Sequence, residues 1–298
     1  MRVLVTGGAG FIGTNLIQRL LEDGHDVDCL DNYSSGKREH EQEGCNYIEV
    51  DVSDSLRRHQ GFGLETYQLK RPDIIYHLSA ETQIPTSFKN PRKHIQNNYI
   101  SLLNVLDWSR QNNKIPIVFA GSASRYGNVY DNPYAFSKYQ GEELCKLYSD
   151  LYKIPNIICR FFNVYGPFAP TQGQYVGVIG IFSRLFEEKK PLTITGDGTQ
   201  TRDFINVKDI VNGLVSGGNR LLSDIRISDM TFDLGTGKSY SLNEIAKSFG
   251  EEYPIEYISE RQGEIKHSIC DPKKTKQVLG WETKIDVIDY IKNTYIYG

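Results

Sequence analysis

The stretch "VLVTGGAGFIGTNLIQRLLEDG" near the start of the chain constrains the fold more than any other. Five residues that end in Gly, "VLVTG" (3–7), read as a short buried strand. Gly8, Gly10 and Gly13 follow in G-x-G-x-x-G spacing, with Gly7 just before them. Apolar residues at 12, 16, 17, 20 and 21 then keep helical spacing up to Gly24. Strand, glycine turn and helix in that order form a βα unit whose turn lets backbone approach a ligand closely. The N–H groups and partial positive charge of the helix N-terminus would meet a pyrophosphate there. Gly7, Gly10, Phe11, Ile12 and Gly13 are therefore candidate dinucleotide contacts.

The alternation continues. Strands are expected at "DVDCLD" (26–31), "NYIEVD" (46–51), "DIIYHLSA" (73–80), "PIVFAGS" (116–122) and "NIICRFFNV" (156–164). Helices are expected from Pro91 to Asn112 and from Tyr134 to Tyr152. Parallel strands need crossovers, so this order predicts an α/β fold, a Rossmann-like doubly wound parallel sheet. After Gly166 the pattern loosens into a polar Gly- and Pro-containing loop, a helix near 177–188, the strand "LTITG", a helix after Val207 and the strand "MTFDLG". That predicts a smaller mixed α/β C-terminal domain, with a boundary near Gly166 dividing residues 1–166 from residues 167–298, and a strand near 230–235 that returns to the first sheet.

Asp31 ends the second predicted strand. A carboxylate there accepts hydrogen bonds from both ribose hydroxyls and repels a 2′-phosphate, so NAD rather than NADP is expected. Asn32 lies beside it.

Composition excludes several classes. The net charge of −3, with no basic block, argues against a nucleic-acid surface. No apolar run is long enough to span a bilayer, and the N-terminal apolar run is too short for a secretory signal. The five Cys (29, 45, 145, 159, 270) are scattered and odd in number, which suits free thiols in a reducing, cytoplasmic compartment. The six His show no metal-ligand spacing, and no metal is expected.

Two Tyr-x-x-x-Lys pairs occur, Tyr33–Lys37 and Tyr134–Lys138, in a chain with 19 Tyr. Spacing alone cannot choose between them. The segments "TGGAGFIG", "YHLSA", "RFFNVYGP" and "GDGTQTRDFINVKDI" resemble the extended short-chain dehydrogenase/reductase family, more narrowly its nucleotide-sugar epimerase/dehydratase branch. The resemblance runs from Val3 to about Trp281. It implies a catalytic Tyr at the start of the long helix after the fifth strand. Tyr134 and Lys138 match that position and Tyr33 does not.

The resemblance also implies Ser122 as the hydroxyl partner, with Gly121 where another Ser is often found and a short connection before Tyr134. It implies cofactor contacts at Asp51, Val52, Leu78, Ala80 and Asn98, besides Tyr134 and Lys138. Substrate contacts are implied at Ser122, Ser124, Asn163, Arg202, Arg261, Glu264 and Ser268.

Dehydratases of this branch place an acid shortly after the Ser/Thr, where this chain has Ala123 and Ser124. The expected activity is therefore NAD-dependent inversion of C4 of a nucleotide-diphosphate sugar through a transient 4-keto intermediate. UDP-glucose and UDP-galactose form the first candidate pair. UDP-GlcNAc and UDP-GalNAc form the second, admitted by the small Ser268. A 4-keto reductase, a 3,5-epimerase and a 4,6-dehydratase are the alternatives within the family. A non-catalytic NAD-sensing protein is the alternative of another class. The helices at 91–112 and 134–152 match the family's dimer contact, so a homodimer is expected.

Overall fold

The computed structural model describes residues 1–54, 69–82, 84–173, 176–260 and 266–297. Two compact units are present, residues 1–160 with 214–232, and residues 161–213 with 233–298.

The first unit is built on β1 (Arg2–Thr6), α1 (Phe11–Glu22), β2 (Asp26–Asp31), β3 (Cys45–Glu49), β4 (Ile74–His77), α2 (Ile84–Lys89), α3 (Pro91–Gln111), β5 (Ile117–Ser122), α4 (Pro133–Tyr152) and β6 (Asn156–Phe161). The second unit has β7 (Asn163–Tyr165), α5 (Val178–Glu187), β8 (Leu192–Thr195), β9 (Thr201–Arg202) and β10 (Phe204–Asn206). Next come α6 (Val207–Ser223) and β11 (Met230–Leu234). The chain ends with β12 (Tyr240–Ser241), α7 (Leu242–Lys247), β13 (Ile255–Ile258), α8 (Lys273–Leu279) and α9 (Val287–Ile291).

The main sheet has seven strands in the order β11-β6-β5-β4-β1-β2-β3. The pairs β1–β2, β1–β4, β2–β3 and β4–β5 are all parallel. The order reverses at β1, so the turn after β1 opens at the topological switch point, where ligands of open α/β sheets bind.

Successive residues of a strand face opposite sides, and both sides are filled here. Ile75 joins Leu102, Val105 and Leu144 of α3 and α4 in one core cluster. Its neighbours Ile74 and Tyr76 meet α6 on the other side, where a Cβ at Gly218 would lie 2.2 Å from the Tyr76 hydroxyl. Burial on both faces is why these strands read as nearly unbroken apolar runs.

One expected strand divides. "NIICRFFNV" reads as continuous, but β6 ends at Phe161. Asn163–Tyr165 leaves the sheet and pairs in parallel with Phe204–Asn206. Phe162 marks the change, with its N–H bonded to Leu234. The apolar pattern is the same on both sides of the break because both pieces are buried. The short α2 was not expected either, since six residues are too few to set a period.

The second unit gathers its core around Phe182 of α5, Ile194 of β8, Phe204 of β10, Ile245 of α7 and Val287 of α9. Two-stranded pairings, β7–β10, β9–β12 and β8–β13, replace a large sheet.

Candidate functional site

At the end of β1, Gly7 has φ +74°, and a Cβ on it would sit 2.7 Å from the Ser79 nitrogen. Gly13 is crowded from the other side, with a Cβ there only 2.3 Å from the Gly7 carbonyl oxygen. Both positions exclude any larger residue. Gly10 is the N-cap of α1, and no side chain caps that helix among the described residues. The first intrahelical bond runs from Thr14 N–H to the Gly10 carbonyl at 2.9 Å. The N–H groups of Phe11, Ile12 and Gly13 therefore lie ahead of the helical ladder, where an anion can take them.

Asp31 closes the loop at the next strand end. Its carboxylate accepts from Ala9 N–H at 2.9 Å and from Tyr33 N–H at 2.7 Å. Burial pushes its pKa up, against those two donors. Asn32 donates to Asp51 at 3.0 Å, and Ser53 donates to Asp51 through both N–H and hydroxyl. Burial works to raise Asp51, but the donors outweigh it and hold the carboxyl below its usual range. Val52 is buried, and its carbonyl accepts from Asn104 at 2.7 Å.

Leu78 N–H bonds back to Thr6, which keeps Leu78 at the C-terminal end of β4 beside the glycine turn, with Ala80 two residues on. Asn98 on α3 spends its amide on protein groups. It accepts from Glu81 N–H at 2.7 Å and donates to the Glu81 carbonyl and the Ser137 hydroxyl. It thereby ties the segment after β4 to α4.

We expect Gly13→Ala to lower stability by about 1–3 kcal/mol, the usual cost of overpacking a rigid site. The contact is with backbone, which cannot swing away as a side chain would. Urea denaturation checks this. An unchanged midpoint would mean that the loop relaxes freely.

Ser122 ends β5, and its hydroxyl accepts from Ser124 N–H at 3.2 Å, capping the turn Ala123–Tyr126. Helix α4 opens at Pro133, preset in φ, behind Asn132, whose side chain accepts from Ala135 N–H at 2.8 Å. Tyr134 and Lys138 lie one turn apart on it, on one face. Burial raises the Tyr134 pKa above its ordinary value, and a hydrogen bond with the Ser122 side chain works against that. Lys138 is buried and donates to the Ala120 carbonyl at 3.0 Å. Burial pulls its pKa down to about 8, with Glu142 the main opposing influence.

Tyr33 and Lys37 lie in a different setting. Tyr33 has φ +55°, in a turn, and bonds Glu41, while Lys37 is exposed and pairs with Glu39.

His77 was not singled out from the sequence. Its Nδ1 lies 2.7 Å from the Thr6 hydroxyl and its ring stacks on Phe119. Burial first, and Lys138 second, push its pKa to about 3, so it is neutral at physiological pH.

In the second unit, Asn163 directs both its N–H and its side-chain amide to the Asp203 carbonyl, each at 3.0 Å. Arg202 donates to the Thr201 carbonyl at 2.9 Å and the Lys266 carbonyl at 3.2 Å. Ser268 N–H bonds the Thr201 carbonyl at 3.1 Å, and Thr201 N–H bonds Lys266 at 2.9 Å. Arg202 and Ser268 are thus brought together although they are far apart in sequence. Arg261 and Glu264 lie outside the described residues. Asp203, also missed from the sequence, is fully buried and accepts from Thr236, Gly237 and Cys270.

Among the described residues no cluster of three or more His, Cys, Asp or Glu is placed to hold a metal ion. No helix among them is long and apolar enough to cross a membrane. All five cysteines are free thiols.

The sequence pattern of the NAD dependent epimerase/dehydratase family matches residues 3–217. The chain belongs to this family. Relatives and solved structures of this epimerase/dehydratase family match over nearly the whole length. A putative UDP-glucose 4-epimerase of Methanocaldococcus jannaschii is 33% identical over 308 residues, 97% of this chain and 96% of that one. The crystal structure of the Thermotoga maritima UDP-glucose 4-epimerase with UDP-glucose superposes with TM-score 0.87 at 29% identity, covering 100% of this chain and 98% of that one. A UDP-N-acetylglucosamine 4-epimerase from Methanobrevibacter ruminantium M1, in complex with UDP-N-acetylmuramic acid, has TM-score 0.87 and 28% identity, covering 99% and 96%. The family match takes in the glycine turn, Ser122, Tyr134, Lys138 and Arg202, and ends before the segment 261–268.

Proposed function

We propose that this chain is an NAD-dependent epimerase that inverts C4 of a UDP-sugar through a transient 4-keto intermediate. The observation that carries this reading is the grouping of Ser122, Tyr134 and Lys138 where β5 meets α4, in the same unit as the glycine turn. The crowding at Gly7 and Gly13 and the unfilled N–H groups at the start of α1 suit a dinucleotide pyrophosphate. Asp31 and Asn32 would take the adenosine ribose, and Asp51 and Val52 would flank the adenine. Leu78 and Ala80 would border the cofactor, and Asn98 would hold that border in place.

When bound, NAD supplies the acceptor for the C4 hydride and a positive ring that favours phenolate. The chain's own task is the proton. An ordinary phenol near pKa 10 is ionised about once in a thousand molecules at pH 7, a cost of about 4 kcal/mol. Burial adds to that cost at Tyr134, so it needs help from Ser122 and a cationic neighbour. Ser122 orients the C4 hydroxyl and passes its proton to Tyr134. The 4-keto sugar then turns over, so that C4 regains its hydride on the opposite face, while the same phenol returns the proton to the C4 oxygen.

In this reading the second unit holds the nucleotide. Arg202 and Arg261 clamp the diphosphate, Glu264 takes the ribose, and Asn163 and Ser124 steady the sugar. Ser268, being small, leaves space for a 2-acetamido group. Residues 1–166 serve as the cofactor domain and 167–298 as the substrate domain. We also propose a homodimer through α3 and α4, because α4 exposes Leu147, Leu151 and Tyr152 on its outer side. The free thiols fit a cytoplasmic setting.

The test is incubation of the purified protein and NAD with UDP-glucose, and separately with UDP-GlcNAc, followed by NMR. Appearance of UDP-galactose supports the reaction, and appearance of UDP-GalNAc supports the role of Ser268. Turnover of UDP-glucose alone overturns the Ser268 inference. No isomerisation of either sugar overturns the proposal.

A further inference from the structure

One turn beyond Lys138, on the same face of α4, stands Glu142. It is 5% exposed. Arg160 of β6 grips its carboxylate with two donors, Nε to Oε1 at 2.9 Å and Nη2 to Oε2 at 2.6 Å. Arg125, from the turn after β5, approaches the same Oε2 to 3.7 Å while its guanidinium covers the Tyr139 ring. Arg160 in turn donates to the Tyr126 hydroxyl at 3.1 Å and lies over that ring. A forked Arg–carboxylate pair of this kind adds fixed geometry to its strength.

The space for it comes from an unusual residue. A Cβ on Gly121 would lie 2.9 Å from Ile158 Cγ2, 3.1 Å from Arg160 Cγ and 3.2 Å from Glu142 Oε1. The Gly at the position where Ser would be expected therefore lets the pair press against the β5 backbone, one residue before Ser122. The carbonyl that Lys138 uses, that of Ala120, is the neighbouring one.

We infer that Glu142 is a positioning residue of the proton-transfer site: clamped by Arg160 one turn from Lys138, its carboxylate favours the charged ammonium that the Ala120 carbonyl holds on the Tyr134 face of α4. This rests on the proposed function for its catalytic meaning, but not for its electrostatics. Around Lys138, Glu142 and Cys145 act from α4, and His77 and Phe119 face it from β4 and β5. Around Glu142 stand Arg125 and Tyr126 from the turn, Arg160 from β6, and Tyr139 from α4. Cys145 is itself influenced by Asp229. Among the described residues, Glu142 is the carboxylate that both guanidinium groups approach, Arg160 through two hydrogen bonds and Arg125 at 3.7 Å. Without its charge, the burial that lowers the Lys138 pKa loses its main opponent, and Tyr134 loses a cation that favours its ionisation.

The experiment follows Lys138 in lysine-labelled protein by NMR, with Lys138→Arg to assign the signal and no substrate present. In Glu142→Gln the Lys138 midpoint is expected to fall by about one pH unit or more. In Glu142→Asp, which keeps the charge, it should stay closer to its parent value. In the isomerisation assay Glu142→Gln should lower kcat about 10- to 100-fold and move the acid limb of the pH profile upward, with KM little changed. A folded Glu142→Gln protein whose Lys138 titrates as in the parent overturns the inference. Should that variant not fold, Gly121→Ala decides, because it displaces the pair without altering any charge. A fall in the Lys138 midpoint supports the inference and an unchanged midpoint overturns it. If the parent shows no isomerisation, the proposed function fails while the Lys138 titration still settles the role of Glu142.

Discussion

Tyr134→Phe is expected to lower kcat by about a hundred- to ten-thousandfold, the range that a positioned general base contributes. The fold and NAD affinity should persist, because the ring stays and only the hydroxyl leaves. That hydroxyl bonds the Ser122 side chain. KM for the sugar should change little, so the loss falls on the chemical step. The pH profile adds a second readout. Burial raises the Tyr134 pKa, so the phenolate fraction, and with it the rate, should climb as pH rises from neutral. Tyr134→Phe should abolish that climb. Tyr33→Phe should change neither rate nor profile, since Tyr33 sits in a surface turn bonded to Glu41. Steady-state kinetics across pH checks all of this. A Tyr134→Phe protein that turns over as fast as its parent would end the proposed mechanism.

The largest effect on stability is expected at Asp203. Its carboxylate accepts from Thr236 N–H at 2.8 Å, the Thr236 hydroxyl at 2.8 Å, Gly237 N–H at 2.9 Å and Cys270 N–H at 3.1 Å. Asp203→Ala removes both carboxylate oxygens at once and takes that acceptor from the part-buried N–H groups of Thr236 and Gly237 and the buried N–H of Cys270. Each orphaned buried donor costs about 1–3 kcal/mol. Because the donors share one partner the costs do not add, and a net loss of about 3 kcal/mol or more is expected. Asp203→Asn should not rescue the site, because its amide nitrogen would confront N–H groups on one side.

The substrate side should suffer as well. Cys270 is held to Asp203 two residues after Ser268, so the strip that runs beside Arg202 loosens with it. The expected result is a raised KM for the UDP-sugar with NAD affinity unchanged. Urea denaturation and steady-state kinetics measure the two parts. A variant as stable as its parent would show that water replaces the carboxylate at no cost.

The sequence by itself determined whatever depends on neighbours along the chain. The glycine turn after β1, the α1 stripe, the apolar strands and the placement of Tyr134 at the start of a helix are local statements of backbone geometry and period. They carry the fold class and the expected cofactor, whereas the choice of Tyr134 over Tyr33 rests on the family resemblance. Tertiary structure decided where buried charges end. Glu142 and Asp203 look like ordinary surface acids in the sequence. Their partners are Arg160, 18 residues away, and Cys270, 67 residues away.

The division of "NIICRFFNV" between two sheets belongs to the same class. The stretch is apolar throughout, and only the presence of Phe204–Asn206 draws its end away. The reason is physical. Periodicity and glycine record what one segment can do alone, whereas a carboxylate removed from water must find its donors wherever the completed fold brings them.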